Sequence, residues 1–202
     1  MATILKLPKR APDKFGHKRV SRVRRTKGAK KNQTDLFGVK ARIVPFPSNL
    51  SPFEQALLLD SKGSPKAREV YLHAIAENDS VADAYCNLGI IESDTGRTDE
   101  AFDCFTKSLQ TVPSHFESHF NIANLYFDLG ELRPSKVHYE IACHVRDDYA
   151  HTFFNLGLVH ALEGDLEAAY EALSRFKDLS GKTESAVADD LISQLASTLP
   201  PK

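Results

Sequence analysis

The chain has 202 residues, of which 42% are apolar and 26% are charged, so it is long enough for one or two domains with a buried core. This balance excludes collagen-like, mucin-like and wholly disordered proteins. No run of apolar residues approaches the ~18 that a membrane-spanning helix needs, and the first residues lack the apolar block of a secretory signal. We therefore expect a soluble protein without a membrane partner.

The cysteines point to a reducing compartment. Cys86, Cys104 and Cys143 are an odd number and include no C-x-x-C pair, which does not fit a disulfide framework. We expect a cytoplasmic protein. A nuclear or organellar location is the alternative if the basic N-terminal region is a targeting signal.

Residues 1–45 form a basic region that we call the arm. The arm holds fourteen Lys and Arg against two Asp, a net charge of +12, whereas residues 46–202 hold twelve basic and twenty-five acidic residues, a net charge of −13. Large apolar residues are scarce between positions 11 and 32, and no helical or strand period is sustained there. Because so little apolar area is available to offset the ordering entropy, we predict a mostly disordered arm.

The basic residues of the arm are dense enough to attract phosphates through counterion release. Phe15 is the one aromatic residue between positions 11 and 32, so base stacking is not expected. Three interpretations stay open: nucleic-acid binding, a targeting address, and a solvated tail without a specific partner. The candidate residues are Lys18, Arg19, Arg22, Arg24, Arg25, Lys27, Lys30 and Lys31.

Residues 35–47 differ from the rest of the arm because they are apolar and end in prolines. We expect this stretch to be the most readily ordered part of the arm, extended against the folded domain.

A repeat of 34 residues organises the rest of the chain. Segments that begin at residues 82, 116 and 150 align, and we count positions within each repeat from these residues. Positions 4, 7 and 24 carry mostly large side chains, whereas position 8 is Gly89, Ala123 and Gly157 and position 20 is also small. Small residues let two antiparallel helices approach closely, and large ones fill the space beside them.

This pattern resembles the tetratricopeptide repeat, in which Gly96, Gly130 and Gly164 would be the turn glycines and Tyr126 the aromatic of position 11. Position 11 departs from the family pattern at Glu92 and His160. The resemblance covers about residues 48–197. It implies an all-α solenoid, a right-handed superhelix of antiparallel helix pairs in which the first helix of each pair lines a concave groove.

The frame extends in both directions. A start at residue 48 predicts a degenerate repeat over 48–81, with helices near 51–61 and 65–77. Full repeats follow at 82–115, 116–149 and 150–183, and the helical period of residues 184–198 predicts a helix that caps the open end. The predicted repeat domain therefore spans residues 46–202.

An asparagine recurs in the predicted groove. The resemblance implies that positions 2, 5, 6, 9, 12 and 13 of each first helix face the groove. Position 6 is Asn87, Asn121 and Asn155, and Asn124 lies at position 9. Asparagine is a poor mid-helix residue, but its carboxamide donates and accepts, so such a row is suited to hold the backbone of an extended peptide. The alternative is that these side chains bond to the next helix.

Apolar side chains lie beside this row. If they are exposed, they would select a peptide with apolar or aromatic side chains, and the alternative is burial between helices. The candidates are Ile90, Phe120, Phe127, Phe154 and Leu158.

The charges of the predicted groove favour a basic or neutral ligand. No Lys or Arg occupies a groove position, which excludes the carboxylate clamp that chaperone-binding members of the family use for acidic C-termini. Position 2 is Asp83, Glu117 and His151, an acidic rim. The chain's own residues 35–47 are a candidate for intramolecular docking.

No sequence motif indicates catalysis. His115 and His119 are four residues apart but lack an acidic residue at zinc-protease spacing, and we find no phosphate-binding glycine loop or nucleophile motif. We expect no enzyme activity, cofactor or metal site. The predicted function is a protein–protein interaction module that binds an extended peptide segment. The alternative is a nucleic-acid-associated adaptor whose arm binds phosphate backbones while the repeats recruit a protein.

Overall fold

The computed structural model describes residues 14–21 and 50–198, and the regular structure in these ranges is entirely helical. The predicted all-α fold is confirmed. The helices are α1 (Pro52–Ser61), α2 (Ala67–Ala76), α3 (Val81–Asp94), α4 (Thr98–Thr111), α5 (Phe116–Asp128), α6 (Leu132–Val145), α7 (Ala150–Glu163), α8 (Leu166–Leu179) and α9 (Lys182–Thr198).

Consecutive helices form hairpins that stack into a solenoid. α1 packs on α2, α3 on α4, α5 on α6 and α7 on α8, while α2–α3, α4–α5 and α6–α7 contacts join one hairpin to the next. α9 packs on α8, at the end where the capping helix was predicted. The first hairpin occupies the region of the degenerate repeat.

The 34-residue pattern has a direct packing cause at position 8. A Cβ atom on Gly89 would lie 2.7 Å from the ring of Phe105, and one on Gly157 would lie 2.7 Å from Cγ of Leu173. Phe105 and Leu173 both occupy position 24 and are fully buried. The missing side chain at position 8 therefore makes room for the large one at position 24 of the same hairpin.

The departure at position 11 of the second hairpin is a buried carboxylate. Glu92 is 1% exposed and accepts hydrogen bonds from Nε of Arg68, at 2.8 Å, and from Nε of Arg97. Two guanidinium groups thus compensate the loss of water around this charge. The pair connects α2, α3 and the turn before α4.

None of the helices in residues 50–198 combines the length and apolarity that crossing a membrane requires.

We predict that Gly89→Ala lowers the free energy of unfolding by about 1 to 3 kcal/mol, because the new methyl group must displace the Phe105 ring in a filled core. Denaturant unfolding followed by circular dichroism measures the change. Gly181→Ala is the matched control, since a Cβ atom there meets nothing within 4 Å. Equal stability of the two variants would contradict the packing explanation.

The buried His119 and the partly buried His138 join α5 to α6. Nε2 of His119 donates to the carbonyl of Pro113 at 2.9 Å, so its Nδ1 is the acceptor for Nδ1–H of His138 at 3.0 Å. Burial and the neighbouring His119 lower the pKa of His138 to about 4. Burial also lowers the pKa of His119, with His115 acting in the same direction. Both imidazoles are therefore neutral in the fold at pH 7.

We predict that the free energy of unfolding falls as the pH is lowered from 6.5 towards 4. The unfolded chain takes up protons at the ordinary histidine pKa near 6.5, whereas the folded chain resists protonation, so this contribution is present above pH 6.5 and is lost below it. Its size is about 1 to 3 kcal/mol for His138. Denaturant midpoints at several pH values measure it. His138→Gln should flatten the profile, and His73→Gln, at an exposed histidine, should not.

Candidate functional site

Residues 14–21 of the arm lie across the first helices α3, α5 and α7, and we call them the docked segment. Each position-6 asparagine accepts a hydrogen bond from a backbone N–H of this segment and donates one to the C=O of the same residue, with N···O distances of 2.7 to 3.0 Å. The pairs are Asn155 with Phe15, Asn121 with Lys18, and Asn87 with Val20.

The docked segment runs against the order of the hairpins. Its beginning lies at the fourth hairpin, on Asn155, and its end lies at the second, on Asn87. The position-6 residue of the first hairpin is Phe53, which is buried. The row of carboxamides therefore ends there, and an apolar contact replaces it.

An aromatic site receives Phe15. Its ring stacks on His151 with centroids 3.7 Å apart, meets Phe154 edge-on at 5.0 Å, and lies 5.8 Å from Phe176. Phe15 also packs against the buried cluster that contains Leu158. The fourth hairpin thus holds one aromatic side chain of the docked segment.

An apolar site receives Val20 at the other end. Val20 is 2% exposed and belongs to the cluster that contains Phe53, Cys86 and Ile90. Burial of a valine side chain stabilises by roughly 1.5 to 3 kcal/mol relative to an exposed one. Phe15 and Val20 thus fix the two ends of the docked segment.

Three aspartates at position 13 bind the cationic side chains of the docked segment. Asp60, Asp94 and Asp128 are 34 residues apart, at the C-terminal ends of α1, α3 and α5. Arg19 contacts Asp60 at 2.6 Å and Asp94 at 3.0 Å, and Lys14 contacts Asp128 at 3.2 Å. We call these three side chains the aspartate row.

Two buried tyrosines orient two of the three position-6 asparagines, Asn87 and Asn155. Nδ2 of Asn87 donates to the hydroxyl of Tyr71 at 3.1 Å, and that hydroxyl donates to Asp60 at 3.1 Å. Nδ2 of Asn155 likewise donates to the hydroxyl of Tyr139 at 3.2 Å. Both tyrosines occupy position 24 of the preceding hairpin, sixteen residues before their asparagine. They fix the carboxamides in the orientation that a backbone requires.

Burial sets the ionisation of the other groups around the groove. It raises the pKa of the Cys86 thiol to about 12 and raises the pKa of the Tyr71 hydroxyl, where Asp60 adds to the effect. It lowers the pKa of His17, with Lys14 acting in the same direction. These groups are neutral at pH 7, so the charge of the groove comes from aspartate carboxylates and the charge of the docked segment from lysine and arginine.

Asn124 makes no hydrogen bond to residues 14–21, contrary to the expectation. Its Oδ1 accepts hydrogen bonds from the Tyr139 hydroxyl and, at 3.1 Å, from Nδ2 of Asn155. Its Nδ2 is buried without a hydrogen-bond partner. Asn124 therefore supports Asn155 from behind.

The apolar side chains predicted to lie beside the asparagine row fall into two groups. Ile90, Phe154 and Leu158 belong to the clusters that Val20 and Phe15 join. Phe120 instead lies in a fully buried cluster that contains no docked-segment residue, with Tyr139 5.8 Å away, and Phe127 packs on that cluster and on the next. Phe120 is thus part of the wall, because its ring fills the space between hairpins.

The position-2 carboxylates of the predicted acidic rim are paired with neighbouring elements of the solenoid. Asp83 contacts His115 at 2.9 Å and Glu117 contacts Arg146 at 3.5 Å, and these four side chains line a cavity together with Val20. The acidic side chains that form ion pairs with Lys14 and Arg19 of the docked segment are those of position 13. Their 34-residue recurrence was readable in the sequence, and it is the signal that finds them.

Of the basic arm residues predicted to bind phosphate, only Lys18 and Arg19 lie within the described residues. Lys18 lies 5.1 Å from the ring of Tyr149, and Arg19 binds the aspartate row, so in this structure both face the groove. The other candidates, Arg22 to Lys31, and the predicted docking stretch 35–47 lie outside the described residues. No group of three potential metal ligands occurs in residues 14–21 and 50–198.

Comparison with known proteins agrees with this architecture. Residues 82–115 match the family model of the tetratricopeptide repeat. The chain thus contains a tetratricopeptide repeat. It is 27% identical over 122 residues to human tetratricopeptide repeat protein 8, an alignment that covers 60% of this chain. The chain spans about a fifth (21%) of that relative's length.

Solved structures of other proteins share the fold. The first repeat domain of Spaghetti (RPAP3), solved with an HSP90 peptide, superposes with a TM-score of 0.53 at 21% identity and covers 58% of this chain and 91% of its own. MamA superposes with a TM-score of 0.58 at 17% identity, covering 73% of this chain and 85% of its own. At these identities the likeness establishes the fold.

We predict that Tyr139→Phe speeds hydrogen exchange of the Phe15 amide about fivefold, because Asn155 loses a hydrogen-bond acceptor worth about 1 kcal/mol. The Val20 amide, held by Asn87 and Tyr71, should change less. NMR exchange rates of the full chain measure both, with Tyr170→Phe, on the outer helix α8, as control. Unchanged exchange at Phe15 would show that Tyr139 does not position Asn155.

Proposed function

We propose that this protein is a protein–protein interaction module that binds an extended segment of a partner in the groove of α3, α5 and α7. The observation that carries the proposal is the paired hydrogen bonding of Asn87, Asn121 and Asn155 to the backbone of the docked segment. Contacts to N–H and C=O do not depend on side-chain identity, so the same row suits a segment from another protein.

The energetics favour an extended ligand. Six hydrogen bonds join the asparagines to the docked segment, and each contributes about 0.5 to 1.5 kcal/mol net. The tyrosine partners and the helical scaffold hold the carboxamides in place before a ligand arrives, which reduces the ordering cost of binding.

The RPAP3 domain supports an interaction role, but the charge of its ligand differs from that of the docked segment. The RPAP3 domain was solved with the HSP90 peptide SRMEEVD, which carries acidic residues. In the present groove the aspartate row contacts Arg19 and Lys14. The negative charge of this groove therefore favours a basic ligand, in contrast to the acidic HSP90 peptide.

The catalytic and nucleic-acid alternatives receive no comparable support. The buried carboxamides and tyrosine hydroxyls of the groove form hydrogen bonds to one another, to backbone, to Asp60 and to the Cys86 sulfur. Lys18 and Arg19, which phosphate binding would use, contact Tyr149 and the aspartate row. We therefore retain the interaction module as the proposal.

We predict that Asn121→Ala combined with Asn155→Ala weakens peptide binding by about 1 to 3 kcal/mol, roughly 5- to 150-fold in Kd. The assay is fluorescence anisotropy of a labelled peptide with the sequence of residues 12–22. The host is the full chain with Phe15→Ala and Arg19→Glu, so that its own segment no longer fills the groove.

The matched control is Gln110→Ala, which removes an exposed carboxamide from the outer helix α4. Circular dichroism should show the same helix content in all variants. If the asparagine pair binds the peptide as tightly as the control, the proposed backbone recognition is wrong.

A further inference from the structure

The docked segment shows which side chains the groove recognises, beyond the backbone contacts of the proposed function. Three of its features meet built sites: the aromatic ring of Phe15, the cation of Arg19 and the aliphatic side chain of Val20. Each site is made by side chains that the solenoid already holds in place.

The spacing between these sites is fixed by the asparagines. Phe15, Lys18 and Val20 each have both backbone groups bonded to a position-6 asparagine, so a slip of one residue would move every side chain to a different site. Phe15 then falls between His151 and Phe154, and Val20 falls in the cluster with Phe53. The register thereby selects the order of side chains as well as their chemistry.

The aspartate row selects the charge between the two apolar ends. The Asp60 side chain is only 11% exposed and accepts a hydrogen bond from the Tyr71 hydroxyl. It also accepts one from Nη1 of Arg19 at 2.6 Å. Asp94 receives Nη2 of the same guanidinium at 3.0 Å. An acidic residue at this place would bring like charges together in a partly buried site.

The docked segment belongs to the same chain as the groove and is covalently tethered to it. Residues 22–51, which connect it to α1, number 30 and could span up to roughly 100 Å if extended. A tethered segment of this length has an effective concentration in the millimolar range. An external ligand must therefore displace it.

We propose that the groove binds partner segments of the pattern aromatic-x-x-basic-Arg-aliphatic, in the order of Phe15 to Val20, and that residues 14–21 compete with them for the same sites. This inference rests on the proposed function, since it concerns the ligand of the same groove. The partner is a protein with a basic, extended segment, and the docked segment lowers its apparent affinity.

Competition is tested with the full chain and the labelled peptide of residues 12–22. The peptide should bind the Phe15→Ala/Arg19→Glu chain at least tenfold more tightly than the unaltered chain, because the altered segment no longer occupies the groove. Equal affinity for the two chains overturns the competition. If the unaltered chain is a dimer in light scattering and the altered chain is a monomer, the segment comes from a second copy, which also overturns competition within one chain.

Selectivity is tested on the peptide side with the altered chain as host. Replacing Phe15 by Ala or Arg19 by Glu in the peptide should each weaken binding at least tenfold, whereas Ser21→Ala, at an exposed residue, should leave it unchanged. Asp94→Lys in the chain should restore part of the affinity for the Arg19→Glu peptide. Raised salt should weaken the native peptide more than the Arg19→Glu peptide.

Equal binding of the native and charge-reversed peptides overturns the recognition pattern. If that equal binding still depends on Asn121 and Asn155, the proposed function stands without the pattern. If binding is indifferent to the asparagines as well, both fail.

Discussion

The paired hydrogen bond between an asparagine carboxamide and both backbone groups of one residue is the interaction on which the groove depends. A backbone N–H or C=O that leaves water must find a partner, and a single carboxamide supplies both. Three such side chains in line hold a segment that has no secondary structure of its own. The other parts of the site are arranged around this row of carboxamides: the tyrosines that orient it, the apolar and aromatic sites beside it, and the aspartate row.

The line exists because the solenoid repeats. Position 6 recurs every 34 residues, and stacking of the hairpins brings Asn87, Asn121 and Asn155 side by side on α3, α5 and α7. The same stacking aligns position 13, where Asp60, Asp94 and Asp128 form the aspartate row. One period of the chain therefore produces two parallel rows, one that binds backbone and one that binds cations.

The residue that orients each position-6 asparagine belongs to the preceding hairpin. Tyr71 of the first hairpin orients Asn87 of the second, and Tyr139 of the third orients Asn155 of the fourth. Asn121 follows a hairpin with Phe105 at position 24, which has no hydroxyl, and its Nδ2 instead contacts the Cys86 sulfur at 3.5 Å. Asn121 thus lacks the hydroxyl partner that Asn87 and Asn155 have, so the docked segment is held most firmly at its two ends.

The sequence by itself determined the helical hairpins, their period and the asparagine row, because these depend on local spacing and on side-chain size at fixed positions. Glycine at position 8 and a large residue at position 24 specify a close helix pair wherever the chain carries them. The position-13 aspartates recur with the same period, but the period alone does not distinguish them from the acidic residues of position 2. Only the tertiary structure decided that Phe120 and Asn124 support the wall and that residues 14–21 of the arm enter the groove. The place of Phe120 and Asn124 depends on which side chains of neighbouring hairpins meet them. Docking of the arm depends on contacts between distant residues, such as Phe15 with Asn155, and no local period encodes either outcome.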